Sequence, residues 1–304
     1  MIAQNLSKRL GVPADFIIMG NGAIELIQTV VHNFVQKKVL INLPTFSSYY
    51  EFAKDRVEVL YNNLNKYDNF ELNIEQFINL AKVEKPDTIV LINPNNPTGG
   101  YTVSADICRL INELKEVENL IIDESFISFS YEDSSFSSTS AQGLIESCKN
   151  LIIIKSMSKD FGIAGIRCGY ALMNPEKVQY LLKNGFLWNL SGLAEYFIEL
   201  YSQDLFYGDY EDIRIKYVKE TQEFSASLSS IKQIKVYPSR ASFALVELVD
   251  GTTSMDFCSK LLLKHGVYTR TCVDKIGLDG EFVRIAAKNQ IDNRIIMDSI
   301  KDIF

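Results

Sequence analysis

The chain has 304 residues, of which 47% are hydrophobic and 23% charged, and its net charge at pH 7 is −7. This length and composition are typical of a globular protein with room for two domains. The acidic balance and the scattered lysines argue against a nucleic acid or an anionic membrane as a partner. No apolar stretch approaches the ~20 residues of a membrane span, and the first residues lack a secretory pattern, so we expect a cytoplasmic protein.

The cysteines and histidines exclude several kinds of site. Five cysteines form no CxxC pair and are odd in number, which predicts reduced thiols that mainly serve packing. The only histidines are His32 and His265. A His-rich metal site is therefore excluded, a Ser-His-Asp triad is disfavoured, and we predict no metal site.

Apolar runs with strand character alternate with helical patterns through the first two-thirds of the chain. The predicted strands are 16–19, 39–42, 57–61, 88–92, 120–123, 151–155 and 168–173. The predicted helices are 23–35, 74–81, 105–115 and 175–182. This alternation predicts an α/β fold with a mostly parallel sheet that is covered by helices on both faces.

The first candidate site along the chain is Met19-Gly20-Asn21-Gly22-Ala23-Ile24, where a strand end leads through small residues into a helix. Free N–H groups and the positive end of the helix dipole can bind an anion there. Alone, this pattern is a weak phosphate signal.

Two further strands end in polar segments. Asn93-Pro94-Asn95-Asn96-Pro97-Thr98-Gly99-Gly100 follows an apolar strand and predicts a rigid loop at its carboxyl end, where open α/β sheets bind ligands. A turn with no ligand is the alternative. Asp123 ends a strand too apolar to face water, and a buried carboxylate needs a partner.

The most informative segment is Ser156-Met157-Ser158-Lys159, which follows the strand 151–155. A desolvated lysine at a strand end can lose its proton and form a Schiff base with a carbonyl. The two serines and Arg167, eight positions after the lysine, are groups that a phosphate needs. An isolated lysine here would be an exposed loop residue, but together with the other three segments it indicates pyridoxal phosphate.

The pattern changes in the last third. A long helical region is expected over 187–224, followed by strands at 234–237, 243–249, 267–271 and 282–286 and helices at 254–265 and 292–304. We expect a large cofactor-binding domain over residues 1–205 and a smaller α+β domain over residues 206–304. Arg270 and Arg284 of the smaller domain are candidates to face the substrate.

These motifs, in this order, resemble fold-type I pyridoxal-phosphate enzymes of the class I/II aminotransferase group. The similarity runs from Gly20 to Arg284 and is greatest to histidinol-phosphate aminotransferase and threonine-phosphate decarboxylase. The resemblance implies that Lys159 carries the cofactor as an imine and moves the Cα proton. It also implies that Asp123 pairs with the cofactor's pyridine nitrogen, and that a homodimer forms.

The resemblance implies further contacts with the cofactor and the substrate. The phosphate would be bound by the backbone N–H groups of Gly22, Ala23 and Ile24, the hydroxyls of Ser156 and Ser158, and Arg167. Phe46 would stack on the cofactor ring, and Asn96 would bind the ring 3-oxygen and border the substrate. Arg284 would bind the substrate's α-carboxylate, and Arg270 would face its distal, phosphorylated end, although an exposed structural role for Arg270 remains open.

The chain departs from the family pattern at two places. Phe126 stands where many members carry a tyrosine that reaches the ring 3-oxygen. The chain begins nineteen residues before Gly20, whereas members have a longer stretch there that carries a substrate-covering arm. A fragment, a truncated gene product and a piece of a fusion are all compatible with this start.

The resulting hypothesis is an aminotransferase that acts on an amino acid or a phosphorylated amine. Decarboxylation of a phospho-amino acid is the first alternative, because Tyr268-Thr269-Arg270-Thr271-Cys272 and the segment 277–284 resemble the threonine-phosphate decarboxylase version of this region. A domain that binds the cofactor without turnover is the second.

Overall fold

The computed structural model describes residues 2–184 and 190–304. The predicted helical region 187–224 therefore begins outside the described residues. Within the part that is described, two sheets and their helices form the molecule. No helix in that part is both long and apolar enough to cross a membrane.

The larger sheet contains seven strands among the described residues, in the order β1-β7-β6-β5-β4-β2-β3. The strands are β1 Ile17–Gly20, β2 Lys38–Leu43, β3 Glu58–Asn63, β4 Thr88–Ile92, β5 Asn119–Asp123, β6 Leu151–Ser156 and β7 Gly169–Met173. All seven confirm predicted strands, with ends that differ by at most two residues. Strands β6, β5, β4, β2 and β3 are parallel, and β7 is antiparallel to both β6 and β1. The predicted mostly parallel sheet is thus confirmed.

The parallel register sets the strand ends side by side. Ile92 of β4 lies opposite Asp123 of β5, and Asp123 lies opposite Ile154 of β6. Strand β1 is antiparallel to β7, which is antiparallel to β6, so β1 ends at the same edge. One edge of the sheet therefore carries four predicted segments: the loop after β4, Asp123 at the end of β5, Lys159 shortly after β6 and the turn that begins at Gly20.

Helices cover both faces of this sheet. They are α1 Ile2–Leu10, α2 Ala23–Phe34, α3 Ser48–Ala53, α4 Ile74–Glu84, α5 Ser104–Glu113, α6 Met157–Asp160, α7 Pro175–Lys183 and α8 Gly192–Tyr201. Alternate strand residues face opposite sides, so Leu120 and Ile122 pack under α1, α4, α5 and α8, while Ile121 packs under α2, α3 and α7. The predicted helices are confirmed as α2, α4, α5 and α7, whereas α1 and α3 were not predicted.

The second sheet has four antiparallel strands in the order β10-β11-β9-β8. They are β8 Ile234–Val236, β9 Phe243–Leu248, β10 Arg270–Thr271 and β11 Phe282–Ala286, and the helices beside them are α9 Asp204–Leu228, α10 Ser254–His265 and α11 Gln290–Ile303. The predicted strand 267–271 is reduced to two residues. Residues of α9, α10 and α11 share an apolar core with β8, β9 and β11.

The two sheets meet at several contacts. Lys66 pairs with Glu247 at 3.1 Å, and the Arg240 N–H donates to the Gly99 carbonyl at 2.9 Å. A Cβ on Gly99 would lie 2.2 Å from Ser239 Oγ, so only glycine permits this approach. The boundary expected at 205/206 falls at the start of α9, which runs on into the second core. The division into two domains remains a prediction.

Candidate active site

A cavity of about 480 Å³ lies at the carboxyl edge of the large sheet, beneath the strands β10 and β11. The residues predicted for the site that line this cavity are Ala23, Ile24, Phe46, Asn96, Asp123, Ser156, Ser158, Lys159, Arg167, Arg270 and Arg284. Gly22 lies directly behind Arg167. The structure therefore brings the predicted residues together in one place.

Gly22 and Arg167 form one end of the cavity. Gly22 has a φ of 81°, and a Cβ at this position would lie 2.3 Å from Arg167 Nη2. The guanidinium donates to the carbonyls of Asn21 and Ala164, each at 3.2 Å. Helix α2 begins at Ala23, so its first N–H groups and Arg167 lie at the same end. A guanidinium beside a helix N-terminus can bind an anion such as phosphate.

Ser156 and Ser158 form the neighbouring wall and are both buried. The Ser158 hydroxyl is fully buried and has no hydrogen-bond partner within residues 2–184 and 190–304. Such a group costs free energy unless a ligand supplies the missing bond. Ser158 and Lys159 lie in α6, a single helical turn that directly follows β6.

Lys159 projects into the cavity, where its side chain is exposed because the cavity opens to solvent. Desolvation by the surrounding atoms, followed by the charges of Arg284 and Arg167, lowers the pKa of Lys159. The amine is therefore easier to deprotonate than a surface lysine. A neutral amine is the form that attacks a carbonyl.

Asp123 is 2% exposed at the end of β5. The Tyr49 hydroxyl donates to Oδ2 at 2.9 Å, and the Ser125 N–H donates to Oδ1 at 2.9 Å. Burial raises the pKa of Asp123, while these hydrogen bonds act in the opposite direction. Tyr49 is itself fully buried, and the sequence analysis did not predict its contact with Asp123.

Arg284 reaches from β11 to the large sheet, where its Nη1 donates to Asn96 Oδ1 at 2.6 Å. Its guanidinium lies 4.9 Å from the centre of the Phe243 ring. Phe126 packs edge-on against the same ring at 5.0 Å and lines the cavity. Burial is the main cause that lowers the pKa of Arg284, which still leaves it charged.

Arg270 lies directly opposite Arg284 on the neighbouring strand. Its Nη2 is 2.8 Å from Asp274 Oδ2, and Lys275 Nζ is 3.2 Å from the same oxygen. Both Asp274 and Lys275 line the cavity, and neither was predicted as a site residue. They follow β10 in an irregular segment, so no periodicity indicated the direction of their side chains.

A buried ion pair lies behind α6. Lys155 Nζ is 2.7 Å from Asp160 Oδ2, and the two side chains are 7% and 4% exposed. Ser128 Oγ donates to Asp160 at 2.8 Å and accepts from Lys155 at 3.0 Å. The pair fixes the position of Asp160, the residue that follows Lys159. It was also not predicted.

Comparison with known proteins agrees with this geometry. The family described as aminotransferase class I and II matches residues 2–300, so the chain belongs to that family. An L-serine phosphate decarboxylase of Campylobacter jejuni is 54% identical over 304 residues, covering 100% of this chain and 78% of the relative. A histidinol-phosphate aminotransferase of Methanococcus aeolicus is 30% identical over 307 residues, covering 100% of this chain and 80% of the relative.

A solved structure of a decarboxylase from Sulfurospirillum multivorans superposes with a TM-score of 0.95 at 42% identity, covering 99% of this chain and 85% of that one. The predicted fold class, a fold-type I pyridoxal-phosphate-dependent transferase fold, is confirmed. Pyridoxal phosphate is accordingly the cofactor of this enzyme.

The residues of the cavity fit pyridoxal phosphate. Gly22 lets the Arg167 guanidinium approach the start of α2, and the Ser158 hydroxyl has no hydrogen-bond partner among the described residues; both features suit the phosphate of the cofactor. Asp123 suits a protonated ring nitrogen, and the depressed pKa of Lys159 suits attachment to an aldehyde. All of these residues line or adjoin the same cavity.

Proposed function

We propose that this member of the aminotransferase class I and II family decarboxylates a short phosphorylated amino acid such as L-serine phosphate. Support comes from the name of the Campylobacter jejuni relative and from the decarboxylase structure of Sulfurospirillum multivorans. These findings favour the decarboxylase alternative of the sequence analysis over its main hypothesis of amino transfer.

The observation that carries the proposal is the register of Arg270 opposite Arg284 in an antiparallel pair. The Cβ atoms of directly opposite residues lie about 4.5–5.5 Å apart. Two like charges so placed repel each other, and anions at both ends of a ligand remove that cost. A short amino acid with a carboxylate at one end and a phosphate at the other supplies two such anions.

We assign the two arginines separate roles. Arg284, held by Asn96, binds the α-carboxylate, and Arg270 binds the distal phosphate. Attachment at both ends fixes how the substrate is rotated about the bond between its amino nitrogen and Cα. This rotation decides which bond at Cα is aligned for cleavage. Guanidinium groups suit both partners because each can bind two oxygens at once.

The remaining residues hold the cofactor and move a proton. Pyridoxal phosphate, when bound, withdraws the electron pair that carboxylate loss leaves at Cα. Asp123 would stabilise a positive charge on the ring of the bound cofactor. Its phosphate would be held by Arg167, Ser156, Ser158 and the start of α2, and Phe46 would stack on the ring. Lys159 Nζ delivers the proton that replaces the carboxylate at Cα, since its amine lies in the same cavity.

The test is a product assay with purified enzyme loaded with pyridoxal phosphate and L-serine phosphate as sole substrate. We expect carbon dioxide and ethanolamine phosphate to accumulate without any keto acid added. Arg270→Met should raise KM for L-serine phosphate and also lower kcat, because the substrate loses one of the two attachments that align its Cα bonds. Absence of the amine product, with turnover only when a keto acid acceptor is present, would contradict the proposal.

Amino transfer remains the second candidate, because the family description and the Methanococcus aeolicus relative point to it. The same assay separates the two, since amino transfer needs an acceptor and retains the carboxylate. The homodimer and the cytoplasmic location remain predictions. Light scattering tests the first, and cell fractionation tests the second.

A further inference from the structure

Arg270, Asp274 and Lys275 form a charge cluster at the side of the cavity that we assign to the distal phosphate. A single carboxylate oxygen, Asp274 Oδ2, lies within 2.8 Å of Arg270 Nη2 and 3.2 Å of Lys275 Nζ. Partial burial acts against ionisation of Asp274, but the hydrogen bond from Lys275 and the charges of Lys275 and Arg270 outweigh it and lower the pKa of Asp274. The carboxylate is therefore ionised at neutral pH.

The three side chains differ in their freedom to move. The side chain of Lys275 is 8% exposed, whereas those of Arg270 and Asp274 are 43% and 51% exposed. The segment after Lys275 packs against the large sheet, since a Cβ on Gly277 would lie 3.0 Å from the Pro44 nitrogen. Lys275 is thus fixed, and Asp274 can leave its partners for solvent without disturbing a packed core.

The charge balance shows what Asp274 does when no substrate is present. Arg270 lies opposite Arg284, whose side chain bonds to the neutral Asn96. Among the residues that line the cavity, the carboxylates are Asp123 and Asp274, and Asp123 bonds to Tyr49 and Ser125. Asp274 is therefore the carboxylate of the cavity lining that contacts Arg270 and Lys275, and it offsets one of their two positive charges.

We propose that Asp274 is a resting counter-ion that the distal anion of a ligand must displace from Arg270 and Lys275, and that Asp274 thereby lowers the affinity of these two cations for the ligand. This inference rests on the proposed function. A phosphate monoester carries nearly two charges and three acceptor oxygens, so it competes successfully with a carboxylate for the two cations. A distal carboxylate carries a single charge and gains less from the exchange. The two cations therefore set the preference for phosphate, and Asp274 sets how tightly either anion is held.

The test compares two ligands that lack an amino group and so bind without turnover. 3-Phosphoglycerate has the phosphate of L-serine phosphate, and malate has a distal carboxylate. Dissociation constants for both are measured by calorimetry at pH 8 with the cofactor-loaded wild type and with Asp274→Asn. Asp279→Asn is the matched control, because Asp279 is exposed, lies outside the cavity and loses the same charge.

We expect Asp274→Asn to bind both ligands about fivefold more tightly than the wild type, with little change in the ratio of the two dissociation constants. Asp279→Asn should bind both ligands as the wild type does. Weaker binding of both ligands by Asp274→Asn would show that Asp274 instead holds Arg270 in place, and unchanged dissociation constants would show that Asp274 does not compete with the ligand. Either result overturns this inference alone. A wild type that binds 3-phosphoglycerate no more tightly than malate contradicts the proposed function.

Discussion

The role of Asp123 can be tested by a substitution at Tyr49, which does not line the cavity. Its hydroxyl donates to Asp123 at 2.9 Å, and both side chains are buried. Burial and the charge of Asp123 raise the pKa of Tyr49 well above its ordinary value, so the hydroxyl is a permanent donor. Tyr49→Phe removes that donor and almost no volume.

The expected loss follows from the hydrogen bonds that remain. Without Tyr49, Asp123 keeps the Ser125 N–H as its bonded partner among the described residues. Hydrogen bonds to charged groups contribute about 1.5–3 kcal/mol. We expect Tyr49→Phe to lower the free energy of unfolding of the cofactor-free protein by about that amount. The pKa of Asp123 should rise further, which disfavours the ionised form that pairs with a cationic ring.

The assay is urea unfolding of the cofactor-free protein, combined with titration of pyridoxal phosphate followed by its visible absorbance. We expect the cofactor to bind about tenfold more weakly or worse, because 1.4 kcal/mol corresponds to a factor of ten. Tyr101→Phe is the control, since Tyr101 donates to the exposed Glu132 and lies outside the cavity. Tyr101→Phe should lower the free energy of unfolding by less than about 1 kcal/mol and leave the affinity for the cofactor unchanged. Equal behaviour of the two variants would refute the role of Asp123.

Three further perturbations test other parts of the site. Borohydride reduces the imine between Lys159 and the cofactor to a permanent bond, which mass spectrometry detects as an increase in protein mass. Lys159→Ala should show no such increase, and an increase equal to that of the wild type would disprove the assignment of Lys159 as the attachment site. Gly22→Ala should weaken cofactor binding about tenfold, because the added Cβ clashes with Arg167. Gly11→Ala is its control, since Gly11 has a φ of 67° but open space around it. This control should lose about 1–2 kcal/mol of stability through backbone strain and bind the cofactor normally. The pKa of Asp123 is higher in the folded protein than the 3.8 of an unperturbed carboxyl. The free energy of unfolding therefore falls as the pH rises from 3.8 through the folded-state pKa. Asp123→Asn should therefore gain stability over the cofactor-free wild type across that pH range, and a pH-independent difference in unfolding free energy would contradict this.

The strands and the edge that carries the site could be predicted because local sequence determines them. Runs such as Leu120-Ile121-Ile122 are apolar on both faces, and such runs form buried parallel strands. In a parallel sheet the carboxyl ends share one edge, so Asp123 and Lys159 could be placed together before their contacts were known. The order of the motifs supplied the rest through resemblance.

The residues that were missed depend on contacts between distant segments. Tyr49 reaches Asp123 from 74 positions away, and Lys155 pairs with Asp160 across a helical turn. The break between α8 and α9 has no glycine or proline to mark it. The break lies beside Phe161, which packs on Phe197 of α8 and Tyr210 of α9 and so ties both helices to the segment after Lys159. None of these contacts leaves a periodic signal in the sequence.

The fate of the substrate's carboxyl carbon tests the central claim most directly. L-serine phosphate labelled with ¹³C at the carboxyl carbon is incubated with the cofactor-loaded enzyme in D₂O, and both products are followed by NMR. Decarboxylation predicts one labelled carbon dioxide or bicarbonate for each ethanolamine phosphate, with the original Cα hydrogen retained and one deuterium added. A labelled carboxylate that stays in a keto acid, with loss of the Cα hydrogen, would contradict it.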